Sequence, residues 1–272
     1  MKISKTQALV ESAIMIAIAS MLSLIKIVDL PYGGSVTIAS MLPIIIIAYR
    51  HGIGTGLTAA FAFGVIQQLL GLSSLSYVST WQSVLAVILL DYIIAFLVLG
   101  LGGIFRNRFK DQSPALVCGA LLACVLRYAC HVISGATVWA GLSIPTSDAL
   151  LYSFAYNATY MVPETIVLMV AAYYLGSTLD FRNNQPVRLA SKESEKISAF
   201  SIIAGLTLSA GVIFDVAAVF SKLQNGETGE WNITGLSDVN WIAVAIASLA
   251  AVIVSAVLFV IGKKKKSSAS NA

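Results

Sequence analysis

Apolar residues in this chain run in blocks too long for the alternation of a half-buried strand and too continuous for one face of a soluble helix. A helix crossing a hydrocarbon core needs about 20 consecutive, mainly apolar residues. Blocks of this kind fall at about 8–28, 36–50, 54–71, 83–105, 114–136, 154–178, 198–220 and 240–262, and they predict eight membrane helices. The second block is short and carries Pro43, so a tilted or partly spanning helix is expected there. In the first block, Ala17-Ile18-Ala19 resembles a signal-peptide cleavage site. The apolar run continues through Met21–Val28, so cleavage would cut a span in half, and the block is read as a membrane helix.

Polar stretches divide the chain. Residues 181–197, FRNNQPVRLASKESEKI, read as a cytoplasmic linker between a first region, 1–180, and a terminal helix pair, 198–262. Residues 263–272 form a basic tail, where a lysine run serves as a cytoplasmic stop and headgroup anchor. No internal repeat is visible.

Composition fits this reading. The chain is 58% hydrophobic and 11% charged, and its mean hydropathy is +0.86. Its lysines and arginines gather at the N-terminus, at Arg50, at 106–110, in 182–196 and at 263–266. With eight spans starting inside, each cluster falls on the cytoplasmic side, and the outer loops near 29–35, 72–82, 137–153 and 221–239 contain only Lys222. A multi-pass plasma-membrane protein with both termini cytoplasmic is expected. The net charge of +4 therefore points to the lipid bilayer and not to nucleic acid. Cys118, Cys124 and Cys130 recur every six residues, which rotates them around a helix and argues against a metal or disulfide site. No nucleotide-binding Gly-x-x-x-x-Gly-Lys-Ser/Thr loop occurs, so any work driven by ATP needs another subunit.

Ionisable residues inside a span are costly and mark function or internal pairing. Here they are Asp91, Arg127, Glu164 and Asp215, with His131 as a titratable neighbour. Asp91 and Tyr92 fall in the outer half of the fourth span, which follows the loop carrying Trp81. His131 and Trp139 fall near the outer end of the fifth, Tyr152, Tyr156 and Asn157 at the outer start of the sixth, and Tyr32 in the first outer loop. An interfacial aromatic belt accounts for the rings alone, but it does not require a carboxylate, an imidazole and an amide at the same level. The set suits a flat, partly cationic aromatic ligand, with rings to stack on it and Asp91 as counter-charge. Arg127 and His131 share a helix face, and Ser134-Gly135 is expected to loosen the helix beyond them. Arg127 is expected to pair with Glu164 as a structural brace. As the only basic side chain expected near the pocket, it leaves little to hold a phosphate ester. Ala13-x-x-x-Ala17 lets another helix approach closely.

Four segments carry a resemblance: GGSVTIASMLPIIIIAYRHG (33–52), LLDYIIAFLVLGLGG (89–103), CHVISGATVWA (130–140) and YNATYMVPE (156–164). In order and spacing they resemble the thiamine-binding S-component of energy-coupling factor vitamin transporters, over about residues 1–180. The resemblance implies an all-α, six-helix substrate-binding bundle, to which this chain adds two C-terminal membrane helices. It implies that Asp91, Tyr92, His131, Trp139, Tyr152 and Asn157 hold the two rings of thiamine, with Tyr32 where the family often has a tryptophan. It further implies that Ala13 and Ala17 dock on a membrane scaffold subunit driven by two ATPases. No cofactor or metal is implied. The alternatives are a self-sufficient carrier, proton-coupled through Asp91 or Asp215, and an intramembrane enzyme using Asp91 and His131 as acid and base. No nucleophile motif or metal triad accompanies that pair, and a non-enzymatic binder is the preferred expectation.

Overall fold

The computed structural model describes residues 4–30, 34–140, 149–189, 199–223 and 233–270. Seven of the described helices are long and apolar enough to cross a membrane. The chain divides into two units, Met1–Ser194 and Glu195–Ala272.

In the first unit, α1 (Lys5–Leu24) is capped by Ser4, whose hydroxyl accepts from the Gln7 amide. It stops four residues short of the expected span. The segment Lys26–Asp29 becomes strand β1 and pairs antiparallel with β2 (Ser35–Thr37). The second expected span is therefore split. Its first residues lie in β2, Ala39 takes a positive φ of 53°, and only Leu42–His51 forms helix α2, with Pro43 in its first turn. Ten residues reach about 15 Å, half the thickness of a hydrocarbon core. Leu42 to Arg50 is buried throughout, as an apolar run with no polar face should be. This short helix is the centre of the bundle and makes only part of the second crossing, which the strand Ser35–Thr37 and the turn at Ala39 begin.

Around it stand α3 (Ile53–Leu70), α4 (Trp81–Gly103), α5 (Gln112–Thr137) and α6 (Ala149–Thr178). A 3₁₀ turn, Leu72–Tyr77, links α3 to α4. Helix α4 is irregular: an α-helical start, a π-helical turn over Ile88–Ile94 and a 3₁₀ end over Val98–Gly103. Its glycine-rich end packs backbone to backbone. A Cβ on Gly103 would overlap the Ala48 carbonyl, and one on Gly119 the Gly102 carbonyl. Small residues allow this close approach of helices inside a membrane. Gly119→Ala is expected to cost about 1–3 kcal/mol, since the obstructing atoms are backbone and cannot rotate away. A melting curve of the detergent-solubilised variant would show it.

The expected linker is not polar chain throughout. Leu179–Asp180 and Val187–Arg188 form a two-residue strand pair, and Phe181 is buried in the core of the first unit.

The second unit holds α7 (Ala199–Leu223), a 3₁₀ turn (Ile233–Asp238) and α8 (Trp241–Ser270). Ser255 Oγ donates to the Ala204 carbonyl at 2.7 Å, and Ser248 Oγ donates to the Asp215 carboxylate. Asp215 thus meets a hydroxyl on its own partner helix.

Candidate functional site

A cavity of about 420 Å³ lies in the first unit. Its lining comes from α1, the β1–β2 hairpin, the end of α3 and the 3₁₀ turn that follows it, and from α4, α5 and α6.

The π-helical turn of α4 carries Asp91, and the widened turn lets the consecutive Asp91 and Tyr92 both line the cavity. Asp91 Oδ1 lies 3.0 Å from His131 Nδ1, while its Oδ2 accepts from Ser134 Oγ at 2.7 Å and from Trp139 Nε1 at 3.0 Å. A carboxylate with three such partners is well satisfied as an anion despite its burial. The bond to Nδ1 orients the imidazole. His131 Nε2 has no partner among the described residues, so with Nδ1–H donated to Asp91 a lone pair remains for a ligand donor.

Asn157 is fixed from both sides. Its Nδ2 donates to the Ser153 carbonyl at 2.8 Å and the His131 carbonyl at 3.3 Å, and its Oδ1 accepts from Tyr160 OH at 2.5 Å. Asn157, Tyr160 and Glu164 stand at i, i+3 and i+7 on one face of α6, as His131 and Arg127 share one face of α5. Tyr92 OH donates to the Gly71 carbonyl at 3.2 Å and lies 3.0 Å from Ser74 Oγ. Trp139 and Tyr77 meet at 6.4 Å between ring centroids.

About one helical turn from His131, Arg127 Nη1 approaches Glu164 Oε2 at 3.2 Å and Met41 Sδ at 3.1 Å, and the guanidinium lies 4.5 Å from the Phe96 ring centroid. Thr37 Oγ1 lies 2.8 Å from both Glu164 Oε1 and Ser40 Oγ, so its proton can serve the carboxylate while it accepts from Ser40. Arg127 and Glu164 both line the cavity.

Among the residues singled out from sequence, Asp91, Tyr92, His131, Trp139 and Asn157 meet at this cavity. Tyr152 and Trp81 do not line it: Tyr152 is buried elsewhere in α6, and Trp81 is 71% exposed at the start of α4. Tyr32 lies outside the described residues. Ser134-Gly135 does not loosen α5, which continues to Thr137; Ser134 is buried and spends its hydroxyl on Asp91. Nor is Arg127 the only basic group here, because Lys26 lines the cavity from β1. Tyr77, Tyr160 and Thr37 were not singled out. The spacing of Tyr160 from Asn157 on one helix was a usable signal, whereas Tyr77 sits in a turn with no periodicity.

An α-helical membrane bundle that encloses a cavity lined by aromatic rings and a few converging polar groups is a membrane protein of the small-molecule-binding class. Residues 9–182 match the family described as Thiamine transporter protein (Thia_YuaJ), and the chain belongs to that family. Among curated relatives it is 34% identical over 181 residues to the Thiamine transporter ThiT of Bacillus subtilis (strain 168), covering 62% of this chain and 90% of the relative. It is 24% identical over 178 residues to the Thiamine transporter ThiT of Lacticaseibacillus paracasei, covering 60% of this chain and 83% of the relative. The solved structure of ThiT from Listeria monocytogenes shares the fold with a TM-score of 0.52 at 23% identity, covering 63% of this chain and 93% of that one. Helices α7 and α8 lie beyond the matched residues.

Proposed function

We propose that this chain captures thiamine from the extracytoplasmic side as the substrate-binding membrane subunit of an energy-coupling factor importer. The observation that carries the reading is the Asp91 cluster, an anion braced by His131, Ser134 and Trp139 on the wall of an aromatic-lined cavity. Thiamine offers an aminopyrimidine that donates and accepts hydrogen bonds and a thiazolium that carries a positive charge. His131 Nε2 and Asn157 suit the first, while the carboxylate of Asp91 and the rings of Tyr77, Trp139 and Tyr156 suit the second. The relatives are named as transporters, which supports binding and release over catalysis.

The distribution of Lys and Arg supports cytoplasmic termini and a cavity open to the outside. Ala13 and Ala17 are exposed on α1, a surface suited to a membrane scaffold subunit working with two ATPases.

The test is titration of the purified protein with thiamine, followed by tryptophan fluorescence. Saturable quenching with a Kd in the nanomolar range is expected, about −12 kcal/mol of binding. Trp139→Phe should remove most of the signal and weaken binding about tenfold or more, because the phenyl ring cannot donate to Asp91. Trp81→Phe should change neither. Absence of saturation up to millimolar thiamine would overturn the reading.

A further inference from the structure

Helix α1 has the weakest apolar hold on its unit. Only 11% of its most hydrophobic stretch is buried, against 28% to 39% for the other spans there. Leu9, Val10, Ile14, Ile18 and Met21 are all exposed. Met15, Ile16 and Ala19 pack on the core, and beyond them α1 is tied to other segments, among the described residues, by hydrogen bonds at two points. Near the cavity, Gln67 Nε2 donates to Ser23 Oγ at 2.8 Å. The second point is at Glu11, about 18 Å away along the helix, and it is far more elaborate.

There Arg50, only 4% exposed at the end of α2, spends all five of its N–H donors. Its Nε and Nη2 grip the Glu11 carboxylate at 2.6 and 2.9 Å. Its Nη1 donates to the carbonyls of Phe181 and Asn183 at 2.8 and 2.7 Å, and its Nη2 also donates to that of Asn184 at 2.6 Å. Gln7 on α1 joins the same knot, donating to Glu11 Oε1 at 2.8 Å and the Asn184 carbonyl at 2.7 Å. His51 Nε2 lies 2.8 Å from Glu11 Oε2. An arginine kept only to orient the chain in the membrane would reach its head to the interface and needs no such partners. This one is buried, and it joins α1, 39 residues before it, to the Phe181–Asn184 segment more than a hundred residues after it. None of the knot's residues lines the cavity.

Glu11 faces inward, and Ala13 and Ala17 lie about 200° and 240° round the helix from it. Both alanines are exposed. The knot therefore grips α1 on one side and leaves the small-residue side outward.

We infer that Arg50 is a positioning residue for partner docking: it fixes the N-terminal half of α1 so that the Ala13–Ala17 face is presented to the scaffold subunit, and it takes no part in holding the ligand. This rests on the docking reading given above. It makes ligand affinity and partner docking separable at one side chain.

The experiment compares wild type, Arg50→Lys and the milder Glu11→Gln, each tagged and co-expressed with the scaffold and ATPase subunits. Thiamine affinity of the purified chain, co-purification of the scaffold subunit and uptake of labelled thiamine by cells are measured. Lysine is a point charge and cannot serve a fork of five acceptors. Arg50→Lys should keep its thiamine affinity within about threefold while co-purification and uptake fall about tenfold or more, with Glu11→Gln intermediate. Wild-type docking and uptake in both variants would overturn the inference. So would loss of thiamine binding in step with docking in both, which would make Arg50 a brace of the whole fold. A wild-type chain that binds thiamine but captures no scaffold subunit would sink the docking reading itself, and the positioning role with it.

Discussion

Asp91→Asn is expected to weaken thiamine binding by two to three orders of magnitude, about 3–4 kcal/mol, while leaving the protein folded. The carboxylate accepts from three groups, with Ser134 and Trp139 on one oxygen and His131 on the other. An asparagine in its place has one oxygen and one NH₂. If its NH₂ faces Ser134 and Trp139, the indole N–H meets a donor, which costs about 1–3 kcal/mol, and if it faces His131, the imidazole must move its proton to Nε2 so that Nδ1 can accept. The anion that would balance the thiazolium is lost as well. The imidazole loses the partner that sets its tautomer, so the lone pair at Nε2 is no longer assured. Titration of tryptophan fluorescence gives the affinity, and the melting temperature without ligand shows whether the fold persists. An unchanged affinity would remove Asp91 from the binding role.

The second large effect is on stability. Glu164→Leu should cost about 3–5 kcal/mol, because it leaves the guanidinium of Arg127 buried without its counter-charge. Glu164 is 2% exposed and Arg127 is 9% exposed, so each charge depends mainly on the other and little on bulk water. The Phe96 ring beneath the guanidinium offers only part of the compensation. The double replacement Glu164→Leu with Arg127→Met should recover most of the loss, since removing both charges also removes the cost of burying them. Thermal unfolding in detergent without thiamine separates this from any effect on the ligand. A single variant as stable as wild type would mean that the pair does not brace α5 and α6.

The positions of the membrane helices were legible because the solvent of a spanning segment is lipid, and an apolar run of sufficient length says so without tertiary context. The shortened α2 was only half legible. Pro43 announced an interruption, but the turn at Ala39 and the pairing of Ser35–Thr37 with Lys26–Asp29 depend on contacts between segments. In the site, Asp91, His131 and Asn157 stood out because polar groups are rare inside spans. Trp81 and Tyr152 stood out as aromatic rings expected at the same outer level, yet they do not line the cavity, because the direction a ring takes from its helix is fixed by packing and not by composition. Tyr77 gave no signal at all, since a turn residue has no period to betray its direction.

The solvent, the approximate spans, the separation of a family-like region from an added helix pair, and the scarce polar residues on which chemistry could rest are all readable along the chain alone. These follow from the free energy of placing each side chain in hydrocarbon, which is largely local along the chain. Which of those residues meet is set by packing in three dimensions. The triple grip on Asp91 and the five-fold engagement of Arg50 join segments far apart in sequence. Each exists because a buried donor or acceptor must find a partner, and which partner is within reach is a property of the packed bundle alone.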